Sequence, residues 1–198
     1  AHQVKEGHYD KAILAVGSCE AHGQHIAEGC DTLVSYELSK KIADNVDGLL
    51  VLPPVTVGYS GHYDTFPFTL TLSYDTVTQV IYDIMESVLR NGINKIFVFN
   101  GHDGNIAPIE IASRKIKEKY ARIASLPEWW VIAGKLLPEG TFEVWNGVGH
   151  AGEGETSIAY HLFGEYCEPE LATCVIPDHL IDGIDIKWDF SEITNTAQ

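Results

Sequence analysis

The stretch Lys95-Ile96-Phe97-Val98-Phe99-Asn100-Gly101-His102-Asp103-Gly104-Asn105 decides how the chain is read. Ile96 to Phe99 is a short, continuous apolar run rich in aromatic and β-branched residues, the pattern of a strand buried on both faces. It runs straight into a polar, glycine-containing turn that carries His102. Beyond the turn, Ile106, Ile109, Ile116 and Tyr120 mark a helix. Ahead of the strand, Val77, Val80, Ile81, Ile84, Val88 and Leu89 mark an amphipathic helix that Asn91-Gly92 closes.

The same grammar governs the first third of the chain. Lys11 to Val16 reads as a buried strand entering Gly17. A helix follows, with Asp31 at the N-cap position and Leu33, Val34, Leu38, Ile42 and Val46 along one face, ending at Asp47-Gly48. Leu49 to Val57 is a second strand, which Pro53-Pro54 restricts to a short or edge position. Gly58 to Thr69 is too polar and aromatic for a simple linker and suits the wall of a site. A further apolar run occupies Trp129 to Ala133, and Ile158 with Leu162 predicts a helix near the end. Alternation of strands and helices predicts an α/β fold: a mostly parallel sheet covered by helices on both faces, with sites at the carboxyl ends of its strands. The 198 residues suit a single domain, 1–198.

Composition narrows the function. Thirteen basic against twenty-eight acidic residues give a formal charge of −15, which argues against a nucleic-acid partner because phosphate binding requires a basic face. No apolar tract approaches the roughly 20 residues of a membrane span. Cys19, Cys30, Cys167 and Cys174 form no C-x-x-C pair, so they read as small buried fillers in a reducing, cytoplasmic protein. No signal peptide or lipidation motif is visible, and no G-x-G-x-x-G or Walker loop follows a strand, which removes a nucleotide-binding reading.

Three glycine-embedded segments concentrate the chemistry: Gly17-Ser18-Cys19-Glu20-Ala21-His22-Gly23, Asn100 to Asn105, and His150-Ala151-Gly152-Glu153-Gly154-Glu155-Thr156-Ser157. With Asp31 nine residues after His22, they offer imidazoles and carboxylates from separate element ends. That donor set suits divalent ions such as zinc or manganese, and two ions sharing a carboxylate can activate water.

At these residues the chain resembles the creatininase (creatinine amidohydrolase) family, whose pattern is G-S-x-E-Q-H-G-P-H-L-P…D-T, then N-G-H-G-G-N, then H-A-G-x-x-E-T-S. The resemblance implies a three-layer α/β/α sandwich, two divalent ions (zinc, manganese or iron) and a homo-oligomer, usually a hexamer. It places Glu20, His22, Asp31 and His102 among the metal ligands, with Asp31 as the bridge. Glu155 is the next ligand or a proton-transfer group, and His150 handles protons beside the metals. His62, Asp103 and Trp145 are expected to contact substrate. Asp103 is alternatively a partner for His102 or a helix cap, and His25 falls outside the ligand pattern.

The departures bear on function. Ala21, Gln24 and Ala27 replace Gln, Pro and Pro of the pattern. Gly104 stands where creatininase itself carries a metal-binding Glu, so Glu155 is expected to supply that oxygen. Phe68 replaces a Gly of F-P-G-T and is expected to narrow the space beside it. The family's closing G-D-P segment is missing, and the chain does not begin with Met, so residues are expected beyond both ends.

The resulting expectation is a hydrolase of a small cyclic molecule in which activated water attacks a carbonyl carbon. Within the family, F-P-F-T and N-G-H-D-G-N point to a 3-dehydro-scyllo-inosose (diketo-inositol) ring-opening hydrolase. The alternatives are a creatinine amidohydrolase, a formamidopyrimidine-nucleotide deformylase or, in another class, a non-catalytic metal-binding scaffold.

Overall fold

In the computed structural model, residues 2–143 and 149–173 are described. A short helix α1 (His2–Glu6) leads to strand β1 (Lys11–Val16), helix α2 (Cys30–Ala43), strand β2 (Leu49–Val51), helix α3 (Tyr74–Arg90) and strand β3 (Lys95–Asn100). Helix α4 (Ile106–Tyr120), strand β4 (Ala124–Ser125), helix α5 (Trp129–Leu136) and helix α6 (Glu153–Phe163) follow. The strands lie in the order β2-β1-β3-β4, and every pairing is parallel.

Alternation along the strands builds two cores, because successive side chains of a strand point to opposite faces. Ala12, Leu14 and Val16 of β1 and Ile96 and Val98 of β3 pack under Val77, Ile81, Met85 and Val88 of α3 and Ile109, Ala112 and Ile116 of α4. Ile13, Leu49 and Phe99 face the other way, toward Cys30 and Val34 of α2, Trp129 of α5, and Ala159 and Phe163 of α6. The result is the expected three-layer α/β/α sandwich. Among the described residues, no helix is long and apolar enough to cross a membrane.

Register places the site. β1 and β3 are aligned from Lys11 opposite Lys95 to Val16 opposite Asn100, so both strands end at one level. The backbone N–H of Gly101 donates to Val16 O at 2.8 Å, and that of Gly17 to Val55 O at 2.9 Å. The loops carrying Glu20, His22 and His102 therefore leave the sheet side by side.

Several sequence expectations are corrected. The N-cap of α2 is Gly29 rather than Asp31; the Asp31 carboxylate is turned into the site instead. The helix ends at Ala43, and Ile42 and Val46 are exposed rather than packed. Pro53-Pro54 cut the second strand to Leu49–Val51, with only Val55 rejoining Val16 through an isolated bridge. The run at Trp129 is helical, and α1 and β4 carried no sequence signal. Ser73 caps α3 by accepting from the Thr76 N–H at 3.2 Å.

Ile81, wholly buried between α3 and the sheet, should lose about 2–5 kcal/mol of stability on replacement by Ala. Ile123→Ala, at a side chain 75% exposed, should change stability by less than about 0.5 kcal/mol. Urea denaturation of both variants checks this.

Candidate metal centre

Glu20, His22, Asp31, His102 and Glu155 are all buried; Glu20, Asp31, His102 and Glu155 line one cavity, and His22 lies against Asp31 and Glu155 behind it. Glu20 and His22 come from the loop after β1, Asp31 from the first turn of α2, His102 from the turn after β3 and Glu155 from the first turn of α6. Gly101 permits the convergence, because a Cβ there would collide with the Asp31 carbonyl oxygen. Asn105, also buried, ties the loops together: its side-chain N–H donates to Gly17 O at 3.0 Å and its oxygen accepts from the Tyr59 N–H at 3.1 Å.

Asp31 divides its carboxylate. Oδ1 stands 3.0 Å from His22 Nε2 and Oδ2 stands 3.0 Å from His102 Nδ1. The Ser18 hydroxyl donates to Oδ2 at 2.6 Å and fixes its rotation. On the His102 side, Glu20 Oε1 lies 3.2 Å from His102 Nδ1 and 3.6 Å from His150 Nδ1. On the His22 side, Glu155 Oε2 lies 3.6 Å from Nε2 and accepts from the Ala151 N–H at 2.6 Å.

Each of three histidines turns its other nitrogen to a backbone carbonyl: His22 Nδ1 to Glu20 O at 3.0 Å, His102 Nε2 to Tyr59 O at 2.7 Å and His150 Nε2 to Ala21 O at 2.7 Å. A carbonyl can only accept, so these nitrogens carry the protons and donate. In neutral rings the inner nitrogens then aim lone pairs at carboxylate oxygens, which is repulsive unless a proton or a cation lies between. Outer hydrogen bonds that fix the tautomer in this way are typical of metal-binding histidines.

The electrostatics show the same demand for positive charge. Burial works to lower His22, but Asp31 and Glu155 raise it well above its ordinary value. Burial likewise opposes His102, which Glu20 and Asp31 raise well above the usual range. Burial would raise the carboxyls, yet Glu20 is held below its ordinary value by His102 and Asp31 well below by His22 and His102. Without a cation, anionic carboxylates hold these two imidazoles protonated. Metal binding at such a site releases those protons.

The residues fit a pair of divalent ions. Glu20 is completely buried, and neither of its oxygens accepts a hydrogen bond, a costly state for a carboxylate unless a cation compensates it. Glu20, Asp31 and His102 could hold one ion, and Asp31, His22 and Glu155 the other.

His150 stands at the cavity wall with its ring centroid 4.4 Å from that of His22 and 4.4 Å from that of Tyr63, nearly parallel to the latter. Burial, and then the nearby His22, hold it below its ordinary value, so it is neutral near pH 7. His62 stacks on His102 at 5.4 Å, and its ring can reach a common ligand position with Glu20 and His102. Asp103 lines the mouth of the cavity and does not orient His102, whose outer N–H belongs to Tyr59. Asp103 opens a 3-10 turn rather than capping α4, which follows Asn105 without a side-chain cap. His25 is turned away to Thr156 Oγ1 at 3.0 Å. Trp145 lies outside the described residues. Phe68 does not narrow the cavity: it is 75% exposed and sits at φ 64°, in the left-handed region that favours glycine.

Tyr59 and Tyr63 belong to the Gly58 to Thr69 loop that the sequence marks as a site wall, whereas Ser18, Trp129 and Trp130 gave no functional signal of their own, yet they fix a ligand or line the cavity. Cys30, read as a filler, brings its sulfur within 4.8 Å of ligand atoms of His22, Asp31 and Glu155. The described part of the cavity encloses about 110 Å³.

Comparison with known proteins agrees with this arrangement. The family described as creatininase (creatinine amidohydrolase) matches residues 1–197. A creatinine amidohydrolase of Pseudomonas putida is 31% identical over 170 residues, covering 76% of this chain and 64% of the relative. A mycofactocin precursor peptide peptidase of Mycobacterium ulcerans (strain Agy99) is 26% identical over 161 residues, covering 77% of this chain and 58% of the relative. The chain thus spans less than two thirds of the length of these relatives. A solved mutant creatininase described as Zn-Zn type superposes with TM-score 0.75 at 26% identity, covering 93% of this chain and 76% of the other. A creatininase structure described with Mn gives TM-score 0.72 at 26% identity over 93% and 78%.

Gly104 cannot carry a metal-binding side chain in this fold. A Cβ there would overlap Tyr59 O and come within 2.6 Å of His102 Nε2, the two atoms that fix the His102 ring. Gly104→Glu, which restores the expected family carboxylate, should therefore lower the metal content of the purified protein instead of raising it. Loss of an outer partner of a ligand costs about 10–100-fold in metal affinity, and competition with a chelator measures it.

Proposed function

This chain belongs to the creatininase family, and on that premise we propose that it is a metal-dependent hydrolase, with Glu20, Asp31 and His102 holding one divalent ion and Asp31, His22 and Glu155 a second. The observation that carries the proposal is the completely buried Glu20 carboxylate, whose oxygens accept no hydrogen bond and face the inner nitrogens of His102 and His150. When bound, divalent ions supply Lewis-acid polarisation of a carbonyl and acidify water.

The chain's own residues supply the rest. His150, neutral and fixed by its Nε2–H to Ala21 O, presents Nδ1 to the cavity. There it takes a proton from the attacking water and returns it to the leaving group, work that suits an imidazole near neutral pH. Tyr63 packs flat against the ring and holds it in that orientation. Trp129 and Trp130, at 6.3 Å and nearly perpendicular, give the cavity an apolar wall for the face of a planar ring and help to keep bulk water out.

The cavity's chemistry bears on substrate. Its described lining contains Glu20, Asp31, Asp103 and Glu155 and no Lys or Arg, which disfavours a nucleotide because nothing there neutralises a phosphate. Asp103 adds a carboxylate to the cavity lining, which supports a substrate that presents hydroxyl donors. A diketo-inositol ring opened at its carbonyl carbon is the reading that follows. Cleavage of an amide, in creatinine or at a peptide end, is the second reading, favoured by the relatives' activities. A polyhydroxylated substrate needs acceptors of this kind, because its buried hydroxyls are penalised when unmatched.

Elemental analysis should find two divalent ions per chain, and Asp31→Ala should abolish both binding and turnover. A metal-free protein, or an active Asp31→Ala variant, would reject the proposal. Assay of the manganese- or zinc-loaded protein on diketo-inositol, creatinine, short peptides and a formamidopyrimidine nucleotide separates the substrate readings. His150→Ala should lower kcat by about 100-fold or more with metal content unchanged. Recovery of that variant by excess metal would instead identify His150 as a ligand.

A further inference from the structure

The two halves of the centre are unequally furnished. On the side of Asp31 nearer His102, Glu20 and His62 approach; on the other side stand His22 and Glu155, with Glu20 and His150 also within reach of His22. Gly104 has neither a side chain nor room for one. Asp31, His22 and Glu155 give this half three protein donors, and a four-coordinate zinc has a fourth position, which structural sites fill with protein and catalytic sites leave to water.

Cys30 stands in the gap. It is the first residue of α2, directly ahead of Asp31, and it is completely buried. Its sulfur and ligand atoms of His22, Asp31 and Glu155 all lie within 4.8 Å of one another, close enough for all four to reach one ion at bond lengths of about 2.0–2.3 Å. A buried cysteine alone would be ordinary core, and Cys30 does touch the apolar cluster of Ile13, Val34 and Phe99. The independent sign of a ligand is Glu20, completely buried with neither oxygen hydrogen-bonded, whose carboxylate shares a second 4.8 Å cluster with His22 and His150. Beside His22 the fold thus leaves one buried carboxylate, that of Glu20, without a hydrogen bond.

Resting on the metal-hydrolase reading above, we propose that Cys30 supplies a thiolate to the ion held by His22, Asp31 and Glu155. As the sulfur–metal bond forms, the S–H bond breaks and its proton leaves to solvent, with no change of oxidation state. The two positions then differ in kind. One has only nitrogen and oxygen donors and accepts manganese or zinc; the other includes a soft sulfur donor and selects zinc. A protein offered both metals should retain zinc in the Cys30 position while the ion beside Glu20 exchanges.

X-ray absorption at the zinc edge of the fully loaded protein tests this independently of turnover. A zinc–sulfur shell at about 2.3 Å should appear beside the nitrogen and oxygen shell at about 2.0–2.2 Å, with one sulfur for every two zinc ions. Cys30→Val, which keeps the apolar packing, should lose the sulfur shell. Cys19→Ser, Cys167→Ser and Cys174→Ser should keep it, and they decide the matter with the wild-type spectrum should Cys30→Val fail to fold. Zinc bound without a sulfur shell overturns the Cys30 proposal alone, and so does a sulfur shell that survives Cys30→Val or disappears with another cysteine. A protein that takes up no zinc overturns the metal centre itself, and the Cys30 assignment with it.

Discussion

The divided carboxylate of Asp31 organises this molecule. One oxygen faces His22, the other faces His102, and the Ser18 hydroxyl locks the rotation between them. To sit there, Asp31 must enter from the first turn of α2 while the histidines arrive from the ends of β1 and β3. The six-residue alignment of those strands therefore becomes a condition for the site, and so does the absence of a side chain at Gly101, where the α2 backbone comes closest. A shift of one residue in the β1–β3 register would turn each strand's core residues to the wrong face and separate the two loops.

Burial of so many ionisable groups is costly. Three carboxylates and two imidazoles lie almost wholly out of water around one cavity. They tolerate one another by opposite charge: the carboxylates hold His22 and His102 protonated, and the imidazoles hold Glu20 and Asp31 ionised. Pairs of this kind seldom add net stability, because desolvation consumes the Coulombic gain. The two apolar cores on either face of the sheet supply the stability that lets the cavity persist. Glu20, left without a hydrogen bond, shows where that compensation is incomplete and where a cation would complete it.

The backbone carbonyls of Glu20, Ala21 and Tyr59 give the site its chemical direction. Each accepts from the outer nitrogen of a histidine and so fixes which nitrogen faces the carboxylates. None is identifiable from residue type, since any residue offers a carbonyl. The Tyr59 carbonyl also explains the glycine at 104: the space that a family carboxylate would occupy there is already taken by the hydrogen bond that orients His102. The departure from the family pattern is accordingly built into the packing around Tyr59, and Glu155 approaches the site from α6 instead.

The sequence alone determined the elements and the donors. Apolar runs at Lys11–Val16 and Lys95–Asn100 fixed the central strands, helical periodicity fixed α3 and α4, and glycine-set clusters marked Glu20, His22, His102 and Glu155, because these signals are local. Local rules read Asp31 both as a donor nine residues after His22 and as an N-cap; the cap reading failed, because a carboxylate at a helix start looks the same whether it caps the helix or faces three polar neighbours from other loops. They misjudged Phe68 for a like reason: which way a loop aromatic points depends on contacts distant in sequence. Only the tertiary structure decided from which side each donor approaches Asp31, which histidine nitrogen faces it and which residues stand behind, since those are relations between chain segments that the folded sheet brings to one edge.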